Sequence, residues 1–267
     1  MRRAVRLTFV AALALVCASC APRGLPRITL PSGPATSAPD YADALADARG
    51  RCHDVRSYSA ALSMSGRAGT QKLRGRVLAG LVPGALRLEA PAPAGGTVFI
   101  LVADGTRGRL LLAQERRALE DARPADILDA LVGIALGPDD LRALLSGCLL
   151  ASPEPTGARA YGADWIVVDL TGGGSMYLRR GADRAWRIAV GTYDGLTVQY
   201  GGSGNALPAR IRITAPAAAG RAAVDVGLSV SQLEVNGDLP RDRLVALAIP
   251  PGTVPMTLEE LREHYRR

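Results

Sequence analysis

Cysteine, histidine and carboxylate side chains are where this chain of 267 residues could do chemistry, and their spacing narrows what that chemistry is. A Ser-His-Asp system needs a histidine placed beside its serine. The two histidines are His53, directly after Cys52, and His264, in an Arg-rich terminal stretch. Neither comes with GxSxG, HExxH or SxxK, the local patterns that present a nucleophile or a catalytic metal. The 25 acidic residues are scattered, and none stands out as half of an acid–base pair. The chain is therefore expected not to be an enzyme and to need no cofactor. What remains is thiol chemistry at Cys17, Cys20, Cys52 and Cys148.

Cys20 has the strongest context. Arg2, Arg3 and Arg6 form a short positive region, and residues 7–16 are an apolar run of ten broken only by Thr8. That length suits the core of a signal peptide and falls far short of the ~20 apolar residues a membrane-spanning helix needs. Cys17-Ala18-Ser19-Cys20 follows and resembles the bacterial lipobox, in which small residues precede a cysteine that is acylated and becomes the mature N-terminus. Ala18 and Ser19 favour Cys20 over Cys17, which follows the bulkier Val16. An ordinary secretory signal with two incidental cysteines is the other reading. Acylation with fatty chains such as palmitate would anchor the chain without a transmembrane helix, because two chains hold a membrane stably where one does not.

Removal of residues 1–19 takes away three arginines and no acids, so the net charge falls from +7 to +4. That surplus is too small to indicate nucleic acid, and no Lys/Arg run interleaved with aromatics supports it. Lys72 is the one lysine among 32 basic residues, a bias that reflects genome composition rather than a binding surface. In an oxidising compartment the two thiols left besides Cys20, Cys52 and Cys148, either form a bridge or stay as two unrelated, partly buried cysteines. With only His53 and His264 beside them they lack the ligand count of a metal site.

Residues 21–39 hold five prolines (22, 26, 31, 34 and 39) among Gly, Ser and Thr, a linker composition that spans up to ~60 Å when extended. Helical spacing follows from Tyr41 to about Cys52. Tyr58, Ala60, Leu62 and Met64 then alternate with polar and small residues at strand period. Residues 73–79, 86–90, 97–102 and 110–113 continue as a meander, with residues 97–102 apolar on both faces. Residues 124–147 read as two short helices, opened by Pro124 and by Pro138-Asp139-Asp140, the second closed by Gly147. After a Pro-rich turn at 152–157, strands are expected at 165–170, 175–179, 186–190, 197–200, 209–214 and 222–233. Gly172-Gly173-Gly174 is read as a hairpin turn, since the GxxxxGK[ST] of a phosphate loop is absent. Thr257 through Glu260 opens a terminal helix with a capping box. The expected fold is α+β and mostly β: a curved antiparallel sheet of about eleven strands, a half-barrel, with short helices covering its concave apolar face. The expected organisation is residues 1–19 signal peptide, 20–39 lipidated cysteine and linker, and 40–267 one domain.

Three stretches resemble the LolA/LolB superfamily of bacterial lipoprotein carriers and outer-membrane lipoprotein acceptors, most closely LolB. Residues 86–97 (LRLEAPAPAGGT) look like the family's strand, protruding loop and following strand. Residues 131–138 (LVGIALGP) through 141–147 (LRALLSG) are similar to its paired helices and closing glycine, and residues 207–213 (LPARIRI) to the start of a later strand. The resemblance implies a half-barrel with a helical lid and an apolar cavity that holds acyl chains of lipoproteins or phospholipids. Leu62, Val77, Leu88, Phe99, Leu101, Leu112, Leu128, Leu131 and Leu144 are the residues it places along that cavity, with plain core packing as the alternative for each. It implies a membrane-facing loop at Pro93, Ala94 and Gly95, where Ala94 stands at the position of a leucine in LolB-type acceptors and offers far less apolar area. It also implies a periplasmic carrier protein as partner and a monomer as working unit. Ala21, not Asp, follows Cys20, which by the same family's sorting logic favours the periplasmic face of the outer membrane. Residues beyond about 238 extend past a LolB-like domain. The competing reading is an envelope scaffold lipoprotein with a filled core.

Overall fold

Alternating apolar and polar side chains draw the chain into strands, because only a pleated sheet puts every second side chain on one buried face. The structure, a computed structural model, describes residues 28–149, 154–203, 207–218 and 222–266. Cys17, Cys20 and the N-terminal apolar run lie outside the described residues. Helix α1 (Tyr41–His53) follows a two-residue strand, β1 (Thr36–Ser37). The first meander is β2 (Tyr58–Ala68), β3 (Gln71–Val82), β4 (Ala85–Pro91), β5 (Thr97–Asp104), β6 (Arg107–Leu112) and β7 (Arg117–Ala122). Helices α2 (Pro124–Val132) and α3 (Pro138–Leu145) come next. The second meander is β8 (Pro155–Tyr161), β9 (Trp165–Leu170), β10 (Ser175–Arg180), β11 (Trp186–Tyr193), β12 (Leu196–Ser203), β13 (Pro208–Ala215) and β14 (Val224–Val235). The chain closes with α4 (Arg241–Val245), β15 (Val254–Pro255) and α5 (Leu258–Arg266).

Among the described residues these fifteen strands form one sheet, in the order β1-β8-β9-β10-β11-β12-β13-β14-β2-β3-β4-β5-β6-β7-β15. Neighbours are antiparallel except β7 and β15, which run parallel. The two ends of the order do not pair with each other, so the sheet is an open half-barrel. Strand β14 joins the meanders by pairing with β13 on one side and, from Val224–Ala68 to Val235–Tyr58, with β2 on the other. Four strands exceed the eleven that alternation alone marks. β1 and β15 are two-residue edges; β7 carries Glu120, Asp121 and a left-handed φ of 59° at Asp121; and β8 begins on a proline at the sheet margin. Such charged or proline-bearing edges lack the alternation that identifies inner strands.

The concave face is read directly from register. Leu62 faces Val77, Leu88 faces Leu101, Leu101 faces Leu110 and Phe99 faces Leu112 across neighbouring strands. Helices α2 and α3 lay Ile127, Leu128, Leu131, Leu141, Leu144 and Leu145 into that concavity, all buried. Helix α3 ends in a Schellman motif: the Cys148 N–H donates to the Ala143 carbonyl at 2.9 Å and the Gly147 N–H to Leu144 at 3.2 Å, with Gly147 at φ 91°. Each buried leucine contributes roughly 1.5–3 kcal/mol relative to exposure.

The last thirty or so residues form a strap. On the convex face Val102 lies between Arg87 and Arg109 in register, and those arginines donate to the carbonyls of Ala246 and Val245, both at 2.7–2.8 Å. Leu244 of α4 packs over Gly80, where an added Cβ would stand 2.7 Å from its Cδ1. Val102 is thereby only 1% exposed although it points away from the concavity. The strap then rounds the β7 edge, where the Val254 N–H bonds to Arg116 and the Met256 N–H to Ala118. It delivers Met256 and Leu261 to the concave side against α2. Thr257 and Glu260 exchange the two bonds of a capping box at the start of α5: Glu260 Oε2 accepts from the Thr257 N–H at 2.7 Å, and Thr257 Oγ1 from the Glu260 N–H at 3.2 Å.

A disulfide joins Cys52, at the end of α1, to Cys148, just past α3, with Cα atoms 5.7 Å apart and a sequence separation of 96. Closing a loop of that length removes about 4–5 kcal/mol of chain entropy from the unfolded state. Replacing both cysteines with alanine is therefore expected to lower the unfolding free energy by about 3–5 kcal/mol in urea titrations. A loss below about 1 kcal/mol would mean that α1 is held by its other contacts and that the unfolded chain is already compact.

Candidate functional site

The apolar interior and the helices laid across it form the candidate site. Six of the nine residues expected along a cavity (Leu62, Val77, Leu88, Phe99, Leu101 and Leu112) project from β2 to β6 on the concave face. The other three (Leu128, Leu131 and Leu144) come from α2 and α3. The structure brings all nine into one cluster; eight are buried and Phe99 packs against it half-buried. Tyr58 lies in the same cluster with its hydroxyl buried and without a hydrogen-bond partner among the described residues, and burial pushes its pKa up. The interior is thus filled by the side chains of the helices that cover it.

Those helices are held by a small number of polar fastenings at their ends. Helix α2 stops at Gly133, in the left-handed region at φ 74°, whose N–H donates to the Asp129 carbonyl at 2.8 Å. Asp140 caps α3 through the Gly137 N–H at 3.2 Å, and Asp139 accepts from the Gly84 N–H at 3.1 Å. Arg142 reaches the Val55 carbonyl at 2.7 Å, and the Tyr200 hydroxyl donates to the Cys148 carbonyl at 2.8 Å. Burial raises the Tyr200 pKa, so that hydroxyl stays a neutral donor.

Between α2 and α3, residues 133–136 are flanked by two grooves. One, of about 280 Å³, runs beside Ile134, Leu136, Tyr193, Leu196 and Ala215. The other, of about 260 Å³, runs beside Ala68, Thr70, Leu131, Arg262 and Tyr265. Gly133 and Ala222 border both. Antiparallel register puts the turns after β2, β4, β11 and β13 at this same end of the sheet. The β4–β5 turn is the exposed loop with Pro93, Ala94 and Gly95. Of the nine cavity residues, Leu131 reaches a groove. Tyr193, Leu196 and Tyr265 were not singled out from sequence, because each sits at an element end where periodicity gives no face. His53 ends α1, and the His264 Nε2 stands 3.3 Å from the Glu115 carboxylate in α5's contact with the β6–β7 turn.

No family model matches the chain, and no curated protein matches it. Among solved structures, it is similar to a LolA superfamily protein from Nitrosomonas europaea, at 11% identity and TM-score 0.48 over 79% of this chain and 98% of that one. It is also similar to a DUF1329 family protein from Desulfovibrio piger, at 14% identity and TM-score 0.46 over 76% of this chain and 95% of that one. A third is the lipoprotein LppX of Mycobacterium tuberculosis, at 12% identity and TM-score 0.33 over 76% of this chain and 100% of that one. The open sheet and concave-side helices described above are the half-barrel and helical cover that the resemblance in residues 86–147 implies.

Gly133 carries a direct test. Gly133→Ala places a Cβ 3.1 Å from Val224 Cγ2 at a left-handed φ, and is expected to lower stability by about 1–2 kcal/mol. Gly50→Ala, inside α1 with nothing within 4 Å of the new Cβ, should instead raise it by about 0.5–1 kcal/mol. Equal effects in urea unfolding would show that the 133–136 junction relaxes freely and imposes no geometry on α2.

Proposed function

We propose that this chain is a lipid-anchored, non-enzymatic protein of the bacterial envelope whose apolar half-barrel takes up acyl chains of lipoproteins or phospholipids. In this reading residues 1–19 are the signal peptide, Cys20 carries the lipid, residues 20–39 lead from it to the sheet edge, where Thr36–Ser37 already pair with β8, and residues 40–267 are one LolB/LolA-like domain. The protein faces the periplasm from the outer membrane, works as a monomer in lipoprotein localisation, and receives its cargo from a periplasmic carrier protein. The observation that supports uptake is the 133–136 junction. There a left-handed glycine, with grooves on both flanks, borders an interior lined by leucine, isoleucine and valine. An acyl chain crossing water exposes CH₂ groups at about 0.8 kcal/mol each, so a greasy interior that opens at one end is a sufficient physical reason to bind it.

Two observations shape the reading. Ala94 and its neighbours are exposed at the same end of the sheet as the grooves, so the loop can meet a membrane, but it presents little apolar area to insert. The packed state of the nine core residues favours a second reading of its own, an envelope scaffold whose interior stays filled.

The test uses the full chain expressed with its N-terminus and extracted in a mild detergent. Palmitate incorporation should vanish in Cys20→Ser. Lipid or acylated peptide should co-purify near one per chain, and a fluorescent acyl probe should bind saturably. Leu131→Asp, which puts a charge at the groove, should weaken the probe by about tenfold or more. Leu78→Asp, on the exposed convex side, should not. A lipid-free chain that ignores the probe, with palmitate still on Cys20, would reject uptake and leave the scaffold reading.

A further inference from the structure

The end of the sheet opposite the two grooves carries a different surface. The turn after β10, the last residues of β12, the first of β13 and the C-terminal half of α1 border an open cleft of about 700 Å³. Arg51, Arg179, Arg180 and Arg187 line it, against one carboxylate, Asp183. Gly181, Gly201 and Gly202 form part of its wall, and the Arg187 and Asp183 side chains fold over the Gly181 backbone.

The carboxylates near the cleft are already engaged. Asp183 accepts from Arg187 at 2.8 Å and from the Ala185 N–H at 3.3 Å, and the Arg187 bond holds its carboxyl far below the usual carboxylate range. Asp47, close enough to attract Arg187, accepts the Trp186 N–H at 2.7 Å. Arg51, Arg179 and Arg180 have no salt bridge among the described residues; Arg51 adds a longer-range attraction to Asp183. Two of these three lie over tryptophan rings in cation–π contact. The Arg180 guanidinium lies 4.6 Å from the centroid of the Trp186 ring and Arg179 5.4 Å from that of Trp165. A cation–π contact engages the guanidinium face, which restrains the side chain and lowers the entropy lost when its N–H groups bind.

We propose that this cleft binds a phosphate oxyanion, from either an anionic lipid headgroup or a soluble phosphomonoester. Guanidinium forks match tetrahedral oxyanions through paired, charge-assisted N–H···O bonds. The volume exceeds that of a bare phosphate and accommodates a glycerol-sized substituent. Ile28 also lines the cleft, eight residues after Cys20. A span of eight residues reaches at most ~28 Å, so lipidation at Cys20, on which this clause alone rests, would keep the cleft within reach of the headgroup layer.

The chain's two tryptophans are the two under these arginines, so their emission reports on the site. The full chain in nonionic detergent would be titrated with glycerol 1-phosphate and, separately, with mixed micelles containing phosphatidylglycerol or phosphatidylcholine. Tryptophan emission would be followed together with calorimetry. Saturable binding is expected, weakened about fivefold by Arg180→Gln and, with no tryptophan disturbed, by Arg51→Gln. Arg74→Gln with Arg76→Gln, exposed on β3, should leave it unchanged. Saturation by glycerol 1-phosphate places the recognition in the phosphate itself; saturation by phosphatidylglycerol micelles alone places it in the lipid headgroup. No saturation by either probe, equal response to phosphatidylcholine, or equal weakening in the β3 pair would overturn the site. Circular dichroism confirms folding, and Arg51→Gln should leave acyl-probe binding intact, so this proposal and the interior reading fail separately.

Discussion

A sheet that curls without closing has a concave apolar face and nothing of its own to bury against it, and this constraint organises the molecule. Curvature brings Leu62, Val77, Leu88, Leu101 and Leu112 toward a common centre, yet the two edges never meet to complete a barrel. The missing wall is supplied by α2, α3 and α5, which are short because each has only one arc of the concavity to cover. Their polar ends are satisfied locally, by Asp140 at α3 and by the Thr257–Glu260 box at α5, so that burial of the leucines is not offset by orphaned backbone groups. The open edges are blunted in the way sheets commonly are, by strands of two residues that leave little backbone to pair with another chain.

The strap follows from the same logic applied to the other face. Strand β5 is apolar on both sides, and a half-barrel with only an inner cover would expose Val102 to water. Residues 239–256 cover it, held by Arg87 and Arg109, whose aliphatic stems lie on the sheet while their guanidinium groups bond strap carbonyls. The strap then continues to the inside as Met256 and Leu261. One segment thus covers both faces of the β3–β7 half and ties the inner helical layer to the sheet edge. On the other half the disulfide has the equivalent task, fastening α1 to the end of α3.

Much of this was legible in the chain. Period-two alternation at Tyr58, Ala60, Leu62 and Met64 sets their face without reference to anything distant, and the capping residues at Pro124, Gly147 and Thr257 mark helix ends by local backbone chemistry. The concave placement of Leu62, Val77, Leu88, Phe99, Leu101 and Leu112 follows from that same period. What alternation does not contain is how a strand's second face is covered. The double-sided apolarity of residues 97–102 signals a second cover but not that it comes from residues near 245. Strand β7, with Glu120 and Asp121, and strand β8, with Pro155 and Gly157, are strands because neighbours offer them hydrogen-bonding edges, not because their own sequence alternates. The arginine cleft was equally invisible. Arg51 is distant in sequence from Arg179 and Arg180, and composition alone spreads 32 basic residues over the whole chain.

The filled interior and an acyl-binding role are compatible on energetic grounds, provided the helices and the ligand exchange places. A sixteen-carbon chain gains ~12 kcal/mol by leaving water, at about 0.8 kcal/mol per CH₂. Withdrawing Ile127, Leu128, Leu131, Leu141, Leu144 and Leu145 from the sheet exposes six side chains worth roughly 1.5–3 kcal/mol each, or ~9–18 kcal/mol in all. The two quantities are of the same size, so the exchange is near balance. In a near-balanced exchange small contributions decide the direction: the left-handed turn at Gly133, the Asp139 bond to the β3–β4 turn, and the tether that the disulfide places just behind α3. The disulfide holds the chain just past α3, while the Gly133 junction borders the two grooves at the end of the sheet where the Ala94 loop also lies.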